Sequence, residues 1–179
     1  MNIVQQIKKK IFGRGIFSVE ELRKMGMKIG ENTHIYTQYI DFNHCFLIEI
    51  GDDTTLASDV RLLAHDASTK KVFGYTKIGR IKIGNHVFIG AQSIILPNVS
   101  IGDYVIIGAG SVVTKDIPNH TIAVGNPCHI IDEYDNYISR MKCLYDSAPC
   151  WKTPHSQKSQ LEKEKMYETL KDGGWGFDL

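Results

Sequence analysis

At 179 residues, with 21 Lys and Arg against 20 Asp and Glu and a formal net charge of +1, the chain fits one domain with a small appendage and lacks the basic field that nucleic-acid binding needs. Its four cysteines, Cys45, Cys128, Cys143 and Cys150, follow no CxxC spacing and read as free thiols in a reducing compartment. The opening MNIVQQIKKKIF has no continuous apolar run, and no stretch approaches the length of a membrane span, so a cytoplasmic protein is expected.

In chain order, Val4, Ile7 and Ile11 lie at helical spacing, and Lys8, Lys9, Lys10 and Arg14 read as a solvated basic face, with peripheral contact to an anionic membrane as the alternative. Ser18-Val-Glu-Glu-Leu-Arg-Lys-Met predicts a capped short helix. Residues 1–27 are therefore expected to form a helical cap.

From residue 28 the pattern changes. Ile29-Gly30 and Ile35 open an irregular first coil, and then aliphatic residues recur every six positions: Ile50, Leu56 and Leu62, and again Ile83, Ile89, Ile95, Ile101, Ile107 and Val113. Four positions after these come Thr54, Val60, Val87, Ser93, Val99, Val105, Ser111 and Ile117. A step of six would spread such a row around a helix, which excludes one here. Short strands of branched residues broken by Gly, Asn and Asp corners fit instead. Residues eighteen apart match (Ile83 with Ile101, Ile89 with Ile107, Ile95 with Val113, Val87 with Val105, Ser93 with Ser111, Val99 with Ile117), as they would if three hexads made one triangular turn. The predicted fold is mainly β, a parallel β-helix over 28–131. Periodicity leaves its handedness open.

The repeat breaks once: Leu62 and Ile83 are 21 positions apart, and the inserted segment begins at His65-Asp66. Insertions into solenoids leave as loops that line binding sites, so the excursion, about residues 65–80, makes His65 the strongest functional candidate. A neutral imidazole can accept a proton at cellular pH. Asp66 is a candidate for orienting it. The seven histidines are spread along the chain without a close pair in the hexad region, so no metal site is expected, and His86 and His120 read as solvated turn residues.

Beyond the coil, Tyr134, Tyr137, Ile138, Met141, Leu144 and Tyr145 form a helical stripe. A second helix is expected over 157–171, with Ser159 three residues before Glu162, and Gly173-Gly-Trp-Gly-Phe177 reads as a mobile end. Residues 132–179 thus form a C-terminal extension.

The run IGNHVFIGAQSIILPNVSIGDYVIIGAGSVVTKDIPNHTIAVGNPCHII, with LAHDAST before it, closely resembles the hexapeptide-repeat acyltransferases, in particular the maltose, galactoside and polysaccharide O-acetyltransferases. The resemblance covers about residues 28–131. It implies a left-handed coil, a homotrimer with active sites between subunits, and acetyl-CoA as donor without a required metal. By position, His65 matches the family's general base. Phe88 stands where relatives often have Trp beside the cofactor arm. Ala91, one residue after Gly90, matches a position whose backbone amide lies near the thioester carbonyl; Gly108 and Ala109 match the small residues along the pantetheine arm, where Gly90 also offers a small side, and Thr114 and Lys115 the loop at the nucleotide end. Asn85 lies at a turn beside this groove. After the closing turn the chain departs from the family: Cys128, His129 and Asp132 stand where relatives often carry Arg.

Acceptor contacts are expected from the first coil (Tyr39, Asp41, Asn43, His44) and from the excursion loop (Asp66, Tyr75, Lys77). The expected function is O-acetylation of a sugar hydroxyl, as in polysaccharide biosynthesis. The alternatives are N-acetylation of an amino sugar or antibiotic, and a non-catalytic trimeric scaffold.

Overall fold

The structure, a computed structural model, describes residues 17–179; the helical spacing of Val4, Ile7 and Ile11 and the basic face of Lys8 to Lys10 and Arg14 lie outside the described residues. The chain divides into two compact units, one running to Tyr134 and the other from Asp135 to Leu179.

The first unit is a three-faced parallel coil. One face stacks Lys28–Ile29, Ile48–Ile50, Ile81–Ile83 and Val99–Ile101. The second stacks His34–Ile35, Thr55–Leu56, Phe88–Ile89, Ile106–Ile107 and Thr121–Val124, and the third Tyr39–Ile40, Arg61–Leu62, Ile94–Ile95 and Val112–Val113. His129–Glu133 folds back antiparallel on Thr121–Val124.

The hexad rows are the core. Leu56, Leu62, Ile89, Ile95, Ile107 and Val113 are wholly buried, in registers such as Ile35↔Leu56↔Ile89↔Ile107. Each rung hides its apolar side chain only because the rungs on either side cover it. The polar members of the second row are buried too, and their hydroxyls are satisfied by backbone: Thr54 Oγ1 donates to the Gly84 carbonyl at 3.0 Å, and the Ser93 and Ser111 hydroxyls both donate to the Gly108 carbonyl.

The eighteen-residue register holds for Ile83↔Ile101, Ile89↔Ile107 and Ile95↔Val113. It fails for Ile117, which bridges to Ile101 rather than lying over Val99, itself paired with Ile81. The last coil is two residues short there, and the Asp116 carboxylate accepts from the Ser100 amide to close it.

The corners carry residues with left-handed backbone. His86, Tyr104 and His120 all have φ between 53° and 56°. Their rings stack from coil to coil, His86 on Tyr104 at 4.6 Å and Tyr104 on His120 at 4.9 Å. The two histidines are thus members of an aromatic column rather than isolated turn residues, and the stacking offsets part of the cost of that backbone.

The short capped helix expected after Ser18 is helix α1, Val19–Lys24, which starts with a reciprocal Ser18–Glu21 capping box and buries Leu22 against the coil. Its Arg23 guanidinium donates to the Ile29 and Gly30 carbonyls. In the excursion, His65–Asp66 pairs antiparallel with Lys77–Ile78 around a one-turn helix α2, Lys70–Phe73.

In the second unit, α3 (Tyr134–Ser147) starts where the aromatic stripe predicts, and α4 (Gln160–Leu170) opens on the Ser159–Glu162 capping box. The expected mobile end is instead ordered: Phe177–Asp178 pairs in parallel with Cys150–Trp151, and Tyr145 meets Phe177 edge-on at 5.0 Å. The Lys158 ammonium, buried here, pairs with Asp178 at 2.7 Å. Among the described residues no helix is long and apolar enough to cross a membrane.

Candidate active site

His65 lies where the third face of the second coil ends and the excursion leaves. Its side chain is 37% exposed. The Nδ1–H of its imidazole donates to Asp41 Oδ2 in a short hydrogen bond. Asp41 follows the matching strand of the first coil, Tyr39–Ile40, which pairs in register with Arg61–Leu62. Strand stacking therefore carries a residue 24 positions upstream to the base of the excursion. The Asp41 side chain is 2% exposed, and its other oxygen, Oδ1, accepts from His44 Nδ1 at 3.3 Å.

The two imidazoles lie 5.0 Å apart, centroid to centroid. One buried carboxylate thus accepts from both Nδ1 atoms. That fixes each ring's tautomer and leaves the Nε2 of each as the nitrogen with a free lone pair. The arrangement can hold one imidazole rigidly as a proton acceptor and stabilise it once charged.

Asp66, adjacent in sequence, does not orient His65. Its carboxylate pairs with Lys77 at 2.7 Å and accepts from the Ser68 amide, and the Lys77 ammonium with that amide holds its carboxyl well below the usual range. Adjacent strand residues point to opposite faces, which is why the neighbour in sequence is the wrong partner. The structure also brings Asp41, His44 and His65 within 4.8 Å of one another through their donor atoms, a close histidine pair that sequence spacing did not suggest.

The other candidates are scattered along the coil. Asn85 is fully engaged at a corner: its side-chain oxygen accepts from the Asp52 amide at 2.8 Å and its Nδ2 donates to Asp103. It belongs to a polar ladder with Asp52, Asp103 and Asn119 that ties successive coils, which gives it a structural role. Phe88 faces outward, 46% exposed. Gly90 is buried, and a Cβ there would sit 2.5 Å from the Ala109 amide nitrogen; one on Gly108 would meet Val124 at 2.6 Å. Close coil stacking by itself thus requires both glycines. Ala91 is half-buried, and Ala109, Thr114 and Lys115 are exposed. In the first coil Asn43 is exposed on a 3-10 turn, and Tyr75 at the tip of the excursion is 80% exposed.

Stacked hexads and a single excursion define a parallel β-helix of the repeat type, with a carboxylate-held histidine at the root of the excursion. A family model for the bacterial transferase hexapeptide (six repeats) matches residues 80–115. Protein CapG of Staphylococcus aureus is 42% identical over 130 residues, covering 69% of this chain and 76% of that protein. The chain spans about a third of the length of putative acetyltransferases of the same organism that it also matches. Among solved structures, galactoside acetyltransferase in complex with coenzyme A superposes with a TM-score of 0.54 at 30% identity, over 67% of this chain and 71% of that one. A hexapeptide-repeat acetyltransferase of Vibrio cholerae complexed with acetyl coenzyme A superposes with a TM-score of 0.52 at 25% identity, over 61% of each chain. The chain belongs to the hexapeptide-repeat transferase family, and its coil is the left-handed parallel β-helix of that family. This hand is an exception to the right-handed rule for parallel crossovers.

Proposed function

We propose that the protein is an acetyl-CoA-dependent O-acetyltransferase that acts on a sugar hydroxyl by direct attack, with His65 as general base. The observation that carries this reading is the His65–Asp41 pair at the root of the excursion. Asp41 holds the proton on Nδ1, so Nε2 of this partly exposed side chain is available to take the proton of an acceptor hydroxyl. Acetyl-CoA supplies the activated acyl carbonyl that the hydroxyl attacks. The buried carboxylate then stabilises the imidazolium, which can return its proton to the departing thiolate.

The coil offers features suited to such a donor. Exposed Phe88, small Ala91 and Ala109, and exposed Thr114 and Lys115 would admit a thin pantetheine arm and put one cation toward its phosphate end. Backbone amides near Ala91 would face the developing negative charge on the carbonyl oxygen. The donor class is supported by the coenzyme A and acetyl coenzyme A complexes of the two similar structures. The family resemblance makes a homotrimer the working form in this reading. In this reading His44, Asn43 and Tyr75, at the excursion or in the first coil, would meet the acceptor. A role in polysaccharide assembly would supply the sugar.

The test is release of free CoA from acetyl-CoA across sugars, amino sugars and nucleotide sugars, with His65→Ala alongside. Turnover that needs a hydroxyl acceptor and vanishes in His65→Ala, with the trimer intact, is expected. Turnover unaffected by His65→Ala would remove the base, and turnover on amines alone would reassign the acceptor.

A further inference from the structure

Two Nδ1 atoms converging on the two oxygens of one buried carboxylate also describe a set of metal ligands with protons in the place of an ion. Among the described residues the only partners of the Asp41 carboxylate are the imidazoles of His44 and His65. The three donor atoms lie within 4.8 Å of one another. Bonds of about 2.0–2.2 Å around a tetrahedral ion put neighbouring ligands about 3.3–3.5 Å apart. His44 Nδ1 already stands 3.3 Å from Asp41 Oδ1. His44 and His65 are 26% and 37% exposed through their side chains, so a fourth position would open to solvent.

Two nitrogens and one carboxylate oxygen suit a first-row divalent ion such as Zn²⁺. Ca²⁺ and Mg²⁺ prefer more, and only oxygen, ligands.

We propose that Asp41, His44 and His65 form a Zn²⁺ site that transfer does not require and whose occupation switches His65 off. When the ion takes Nδ1 of His65, the proton held there moves through solvent to Nε2, so charge and atoms balance without an oxidant. Nε2 then carries a hydrogen and has no lone pair for the acceptor hydroxyl. The switch rests on the reading of His65 as the base; the ion site does not.

The experiment titrates the full-length protein with Co²⁺, read by visible absorption, and with Zn²⁺, read by equilibrium dialysis. Wild type is expected to bind one ion per chain and to develop the absorption of four-coordinate Co²⁺. His44→Gln keeps a donor toward Asp41 but loses the imidazole, and is expected to bind at least about tenfold more weakly. His155→Gln, in the second unit, is expected to bind as wild type does. Circular dichroism checks that each variant folds. Absence of the Co²⁺ band, or equal affinity in His44→Gln, overturns the site. In the transfer assay, saturating Zn²⁺ is expected to lower turnover at least about tenfold and a chelator to restore it. Ion binding with unchanged turnover overturns the switch. Binding that depends on His44 in a protein with no turnover on any acceptor tested upholds the site and overturns the sugar O-acetyltransferase reading by itself.

Discussion

Replacing Asp41 by Asn separates the charge of this carboxylate from its shape. Asn keeps an oxygen that can accept from His65 Nδ1, in a pocket where the Asp41 side chain is 2% exposed. What it loses is the negative charge beside the imidazolium that forms when His65 takes a proton, together with the second acceptor: its amide nitrogen faces His44, whose ring must then present a bare nitrogen there. At about 4 Å and an effective dielectric near 20, such a pair is worth about 4 kcal/mol. His65 is 37% exposed, so solvent screens part of this, and about 2–4 kcal/mol is a working range. At about 1.4 kcal/mol per decade, turnover should fall roughly 30- to 1,000-fold. The assay is CoA release at saturating acceptor and donor, with thermal unfolding as a check on the fold. A loss of less than about threefold in a well-folded variant would show that Asp41 does not act through His65. Asp41→Ala is the poorer probe, because it also leaves two imidazole N–H groups without their acceptor.

Ile95, wholly buried between Leu62 and Val113, should cost about 2–5 kcal/mol when cut to Ala, measured by urea unfolding, whereas Ile78→Ala on the exposed excursion should stay within about 0.5 kcal/mol. Equal effects would mean that the rungs are not the core. Exposed Cys143 and Cys150 should react with a thiol reagent at once and Cys128 more slowly, while Cys45 should react only as the protein unfolds, because burial pushes both of the last two thiols up. Fast labelling of Cys45, read by mass spectrometry, would contradict its packing. The Lys28 ammonium, with Arg80, holds the Glu49 carboxyl below its ordinary value of 4.5. The folded-state value is depressed, so the stabilisation is present above the unfolded value and is lost as pH falls through the lowered one. Glu49→Gln should therefore flatten the acid limb of the stability curve, and an unchanged limb would remove the pair from the account.

The candidate site was half legible in the chain. His65 stood out because the hexad row skips from Leu62 to Ile83, and a skipped rung must leave the coil. Asp41 and His44 could be suspected only as residues of the irregular first coil. Their convergence on His65 depends on Tyr39–Ile40 stacking on Arg61–Leu62, a register that no local pattern encodes. Asn85, Gly90 and Gly108 show the opposite limit. Their residue types suit a cofactor groove, yet coil stacking alone accounts for Asn85's hydrogen bonds and for the absence of a Cβ at the two glycines.

What the chain by itself determined were features whose cause is local or periodic. A row repeating every six residues admits one way of burying itself, and Ser18–Glu21 and Ser159–Glu162 each satisfy helix-end amides within three residues. Tertiary structure decided whatever depended on distance along the chain. It shortened the last coil so that Ile117 met Ile101, paired Phe177–Asp178 with Cys150–Trp151, and chose Asp41 over adjacent Asp66 as the partner of His65. The physical reason is the same in each case: backbone hydrogen bonds and buried charges take the partner that the folded chain brings close, and within the solenoid that partner lies about a coil away.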